Sequence, residues 1–156
     1  MKVRELMTDG PRVCAAWADV GHASHQLWDG DCGSLPVIDE SDRVVGMITD
    51  RDICMALASR DESASEVPVS QVMTRNVVSC HPEDDLNDAL HAMRQGRIRR
   101  LPVVDEKETI VGILSLSDVI REARAKAGSK GPTYGDVVDT LKAIRGEPVP
   151  AETTTT

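Results

Sequence analysis

Phenylalanine is absent from this chain of 156 residues, and Trp17, Trp28 and Tyr134 are its whole aromatic set. The core must therefore be filled by Val, Ile, Leu, Met and Ala. Basic residues are in deficit: 18 Lys and Arg stand against 26 Asp and Glu, a formal net charge of −8. That balance argues against a nucleic-acid partner, whose phosphates need cations. Cysteine is sparse, and Cys14, Cys32, Cys54 and Cys80 form no C-x-x-C pair. Free thiols in a reducing cytoplasm are expected, not a disulfide framework. No apolar run is long enough to span a bilayer, and the start Met1-Lys2-Val3-Arg4-Glu5 lacks the apolar stretch of a signal peptide. The expectation is a cytoplasmic protein with no membrane partner.

Catalytic constellations are missing too. No nucleophile–base–acid set, phosphate-cradling glycine loop or carboxylate pair stands out, so no enzyme activity and no obligatory cofactor are expected. A zinc site needs three or four convergent ligands. His22 and His25 are one turn apart on a helix and could carry only a minor metal-sensing reading, while His81 and His91 are scattered.

What is present is a repeat. At an offset of 66 residues Met7-Thr8 falls on Met73-Thr74, Cys14 on Cys80, Asp19 on Asp85, and Gly30 on Gly96. Without a gap, Leu35-Pro36-Val37 falls on Leu101-Pro102-Val103, Asp39-Glu40 on Asp105-Glu106, Val45-Gly46 on Val111-Gly112, and Asp52 on Asp118. A register this long marks a duplication, and its halves share one fold. Residues 1–62 and 67–127 are the two expected domains.

In the second half Val77-Val78-Ser79-Cys80 reads as a short strand. Pro82 suits a first helical turn. Leu86, Ala89, Leu90 and Met93 recur at helical spacing, and Gly96 is read as the stop. The proline of Leu101-Pro102-Val103-Val104 suggests an edge strand or a strand start. Ile110 to Leu114 reads as a buried strand, and Ser115 opens a helix through Val119, Ile120 and Ala123. Each half is thus β-α-β-β-α, an α/β unit that cannot cover its own sheet and should pack on its twin about a pseudo-twofold axis. Residues 128–156 hold a helix candidate from Asp136 to Arg145, striped by Val137, Val138, Leu141 and Ile144, and a tail expected to be disordered.

The order Met-Thr, short strand, helix, Leu-Pro-Val-hydrophobic-Asp, Gly-x-hydrophobic-Thr/Ser-x-x-Asp resembles the CBS domain, named after cystathionine β-synthase. It occurs from about Val3 to Arg60 and again from about Val69 to Ala127. The resemblance implies a disc-like Bateman module with a signalling role, whose two clefts take AMP, ADP, ATP or S-adenosylmethionine as regulatory ligands. It implies pairing through helices into homodimers, and a downstream protein that reads the state. Leu141-Lys142-Ala143-Ile144 followed by Pro148 is similar to the tail of some bacterial stand-alone CBS-pair proteins.

The candidate site follows from chemistry at helix starts. Thr49 and Ser115 place hydroxyls where a strand gives way to a helix, and Asp52 and Asp118 lie three residues on. The helix start attracts phosphate and the carboxylate can accept ribose hydroxyls. The same spacing is also an ordinary capping box, and one residue can do both. Arg99 and Arg100 precede the second Leu-Pro-Val strand and match a place where CBS domains often meet phosphate; Arg97 reads as a solvated cation. Asp31-Cys32-Gly33-Ser34 replaces this basic stretch in the first half. One cleft is therefore expected to combine Arg99 and Arg100 with Thr49 and Asp52 and to accept phosphate. The other, with Ser115, Asp118, Gly33 and Ser34, should be neutral, empty or suited to uncharged adenosine. Val13, Val77 and Val78, with Val37 and Val103, are candidates for the adenine wall or for plain core. Trp28 falls on Arg94, outside the apolar stripe, and suggests a dimer contact or a seat for the tail. The competing reading is a structural or dimerisation module that docks a partner protein and binds no ligand.

Overall fold

The computed structural model describes residues 1–125 and 131–146. The first repeat runs β1 (Thr8–Asp9), β2 (Cys14–Ala15), α1 (Val20–Asp29), β3 (Ser34–Ile38), β4 (Val44–Thr49) and α2 (Asp50–Ser59). The second runs α3 (Leu86–Gly96), β5 (Arg100–Val104), β6 (Ile110–Ser115) and α4 (Leu116–Glu122), followed by α5 (Tyr134–Arg145). Short 3-10 turns, Val3–Glu5 and Val69–Gln71, begin the repeats.

The helices start where the sequence places polar caps. The Asp19 carboxylate accepts the His22 amide at 2.8 Å, and Asp85 accepts that of Asn87 at 2.9 Å. One amide otherwise left without an intrahelical partner is satisfied at each start. Val20, Ala23 and Leu27 then face one core, and Leu86, Ala89, Leu90 and Met93 the other.

The sheets exchange segments. β1 of the first repeat pairs antiparallel with β6 of the second, Thr8 opposite Ile113 and Asp9 opposite Gly112. Reciprocally, Thr74 bridges Met47. The repeated glycines permit this crossing: a Cβ on Gly46 would lie 2.5 Å from Met73 Sδ, and one on Gly112 2.8 Å from Met7 Sδ. The turns before each repeat dock the same way. Val3 N–H donates to Asp84 O at 3.0 Å and Val69 N–H to Ala18 O at 2.8 Å. At the hairpin tips Val44 N–H donates to Glu108 O at 3.2 Å and Ile110 N–H to Asp42 O at 3.1 Å.

Two apolar clusters result, instead of one shared core. One joins Val3 to second-repeat residues such as Leu90, Met93 and Leu114; the other joins Val67, Val69 and Met73 to first-repeat residues such as Leu27, Leu35 and Ile48. The pseudo-twofold relation expected from the repeat is present, and exchanged N-terminal segments hold it together.

Several local expectations change. Val77, Val78 and Ser79 form no strand; Cys80 alone bridges Val103. Pro82 lies before the Asp85 cap, outside the helix. Gly96 is helical, and the left-handed residue that ends α3 is Arg97, φ 51°, matched by Asp31, φ 45°, after α1. Pro102 lies in β5, the edge strand of β1-β6-β5, as expected, whereas its match Pro36 sits in β3, the central strand of β2-β3-β4. Pro102 is tolerated because its flanking partner is so short: Cys80 N–H donates to Pro102 O and Val104 N–H to Cys80 O, and no strand continues past Cys80 to require the missing N–H.

α5 begins at Tyr134, two residues earlier than its periodicity suggests, because Thr133 and Asp136 form a capping box. Val137 and Thr140 are buried, and Leu141 and Ile144 pack on the second-repeat cluster that includes Val3. Val138, expected on the stripe, is exposed. The expected flexible break around Gly128 and the tail beyond Gly146 lie outside the described residues.

Candidate ligand clefts at the helix starts

Each repeat delivers a hydroxyl and a carboxylate to a helix N-terminus because an antiparallel strand ends there. Ser34 lies opposite Thr49, and Arg100 opposite Ser115. Opposed residues on antiparallel strands project to the same face. The Arg100 guanidinium then reaches across the pseudo-twofold axis to donate to Ser34 Oγ at 3.4 Å. Gly33 is beside it: a Cβ there would stand 3.9 Å from Arg100 Nη1 and 3.5 Å from Asp50 Oδ2. The four strand ends thus converge around Arg100.

Both helix starts are capping boxes. At α2 the Asp52 amide donates to Thr49 Oγ1 at 3.1 Å, and Thr49 N–H donates to Asp52 Oδ2 at 3.0 Å. At α4 the Asp118 amide donates to Ser115 Oγ at 3.2 Å, while Ser115 donates to Asp118 Oδ2 through N–H at 2.9 Å and Oγ at 2.6 Å. The capping role is present at both places and leaves the ligand role open. The carboxylates differ in setting: Asp118 is buried and ion-paired with Arg121, whereas Asp52 is half-buried.

The basic stretch divides. Arg99 is exposed, and its carbonyl accepts the Leu116 amide at 2.8 Å, steadying the start of α4. Among the described residues no carboxylate lies within ion-pair distance of Arg99 or Arg100. In a chain of net charge −8, unpaired guanidiniums at a helix-start junction are available for an anion. Arg97 is exposed but not merely solvated: a Cβ on Gly146 would lie 3.5 Å from its Nη1, at the C-terminal end of α5.

Of the proposed apolar wall, Val13 and Val77 are half-buried and Val78 is exposed, with Val78 Cγ2 close to Gly96. Val37 and Val103 are fully buried in the two cores and cannot line a cleft. Cys14 and Cys80, matched in the repeat, are buried, and burial pushes their thiols up to about 11 and about 12. They are protonated at neutral pH and act as small apolar residues. Among the described residues no His/Cys/Asp/Glu group could hold a metal ion, and no helix is long and apolar enough to cross a membrane.

A groove of about 490 Å³ opens between α1 and α2, lined by Leu27, Trp28, Ile53 and Cys54 and reaching Gly33 and Asp50 at the start of α2. Trp28 is 85% exposed. α5 does not fold over it; it packs on α3 and α4 instead, where Arg94 donates to Thr140 Oγ1 at 2.9 Å and to Asp136 O at 3.4 Å. The arginine matched to Trp28 is thus the anchor of the tail helix. Sequence reasoning passed over that role and over Arg121, whose signal was the pairing of Arg121 with Met55 at matched repeat positions.

A family model described as CBS domain matches residues 3–59 and 69–125. The CBS domain-containing protein YhcV of Bacillus subtilis is 33% identical over 117 residues, 75% of this chain and 81% of that protein. The CBS domain pair of protein MJ0100, solved in complex with 5-methylthioadenosine and S-adenosyl-L-methionine, is 29% identical with a TM-score of 0.68, covering 78% of this chain and 94% of that one. CBSX2 in complex with AMP is 26% identical with a TM-score of 0.68, covering 77% and 94%.

Proposed function

The chain belongs to the CBS-domain family, with two copies in tandem and a C-terminal helix, and from that premise we propose that it is a regulatory module sensing an adenosine-type ligand, with no catalysis of its own. AMP, ADP, ATP and S-adenosylmethionine are the candidate ligands. The observation that carries the reading is Arg100, a cation without a carboxylate partner among the described residues, set where both repeats' strand ends meet beside the capped start of α2. The similar proteins in complex with AMP or with S-adenosylmethionine support the ligand class.

In this reading Thr49 and Asp52 face the ribose, Arg99 and Arg100 face the phosphate, and Val13, Val77 and Val78 offer aliphatic contact to the base. The cleft at Ser115 and Asp118 differs in that its carboxylate is already ion-paired with Arg121. A thermal-shift screen with the four ligands, followed by calorimetric titration, tests the assignment, since a ligand that binds only the native state raises its stability. Arg99→Ala with Arg100→Ala should remove most AMP binding and leave adenosine binding largely intact. Equal loss of both ligands would make the arginines supports of the fold.

The uncovered α1–α2 groove favours a second, compatible role in assembly. Two copies pairing through Trp28 form a homodimer, and a downstream protein reads the module in that state. Light scattering on Trp28→Arg should then report a monomer; an unchanged oligomer removes Trp28 from the interface.

A further inference from the structure

The two helix starts are built alike yet differ in what their carboxylates have left to offer. Asp118 is 6% exposed, and its Oδ2 already accepts Ser115 N–H at 2.9 Å and Ser115 Oγ at 2.6 Å. Its Oδ1 is taken by the guanidinium of Arg121, one turn along α4. Asp52 accepts only the Thr49 amide, at 3.0 Å on Oδ2, and among the described residues nothing donates to its Oδ1. Asp52 also borders a hollow of about 320 Å³ beside Met55, Arg60 and Gln71. Met55 occupies the repeat position that Arg121 holds in the second half.

We infer that Arg121 closes the second cleft, so that each chain takes a single adenosine-type ligand, at Asp52. This rests on the ligand-sensing function proposed above. A ribose diol is recognised by a carboxylate with accepting positions to spare. At Asp118 the diol would have to displace a guanidinium, exchanging an ion pair for a bond from an uncharged donor to a buried carboxylate, which is unfavourable. At Asp52 nothing has to be displaced. The Arg121 side chain is 73% exposed, so it is held by its carboxylate and not by packing. It can be removed without opening the core.

Calorimetric titration of the full chain with adenosine tests the inference, because an uncharged probe does not depend on Arg99 or Arg100. Wild type should show one site per chain. Arg121→Met, which installs the first repeat's residue, should show a second site, at least about tenfold tighter than any second event in wild type. Asp52→Asn should weaken the wild-type site but leave the site created by Arg121→Met. A cooperative thermal transition in each variant confirms the fold. Two equivalent sites in wild type, or one site in wild type and still only one in Arg121→Met, overturns the inference. No site in wild type but one in Arg121→Met upholds the closure and overturns the reading of the Asp52 cleft. No site in either protein overturns both.

Discussion

α1 and α3 are one helix written twice, each started by an aspartate cap and each ended by a left-handed non-glycine residue, but their surroundings have diverged. α3 lies under α5, anchored through Arg94, whereas α1 carries Trp28 into solvent above an open groove. The carboxylates show a parallel divergence, with Asp118 closed by Arg121 and Asp52 open. Backbone exchange, sheet register and helix caps are equivalent in the two halves, so the asymmetry resides in a few side chains on the outer faces. Duplication made a symmetric scaffold, and different residues at matched positions give its halves different surroundings.

The comparison is broken most severely by separating the halves. Residues 1–66 lack Val67, Val69 and Met73, which complete the first core, and the partner that receives Val3. Expressed alone, that segment should show no cooperative unfolding transition by circular dichroism, or should self-associate; a stable monomer would refute the exchange as the basis of the fold.

A smaller perturbation targets the crossing points. Gly46→Ala and Gly112→Ala each press a methyl against the crossing Met-Thr segment, with Thr74 O at 3.0 Å and Thr8 O at 3.1 Å as well as the methionine sulfurs. Each should cost about 1–3 kcal/mol in denaturant unfolding, as overpacking does. Similar costs at the two sites sharpen the equivalence of the scaffold, and a large difference breaks it.

Outer-face residues should behave oppositely. Arg94→Ala removes two hydrogen bonds from a charged donor to α5 and should cost about 1.5–3 kcal/mol, with faster proteolysis of the C-terminal helix. Trp28→Ala, at a residue 85% exposed, should change monomer stability by less than about 0.5 kcal/mol. A stability loss at Trp28 equal to that at Arg94 would erase the contrast.

The smallest expected effect is on acid stability and should be symmetric. Asp39 is held below the usual carboxylate value by the Arg43 and Ser41 amides, and Asp105 by those of Thr109 and Lys107. Each therefore binds protons less readily folded than unfolded. Its contribution is present above the ordinary value of 3.8 and is lost as pH falls through the lower folded value. Both groups are half-exposed and screened by solvent, so a slight weakening of urea stability below about pH 4 is expected. It should diminish comparably in Asp39→Asn and Asp105→Asn.

Much of this molecule was determined by sequence alone. The gapless repeat established the duplication. The spacing of Leu86, Ala89, Leu90 and Met93 established the buried face of α3, and the order of motifs established the family and the position of the helix-start carboxylates. These are local or periodic properties, which a one-dimensional pattern retains. Only the tertiary structure decided that Met-Thr crosses to the other half, that Arg97 and Asp31 take the left-handed turn in place of glycine, and that α5 settles on the second repeat. Only it decided that Arg121 spends its charge on Asp118 while Arg100 reaches Ser34. Those outcomes depend on which surfaces meet and which charges face one another at a few ångströms. Residues with the same sequence spacing can be brought together or held apart by the folded chain, as the two halves demonstrate.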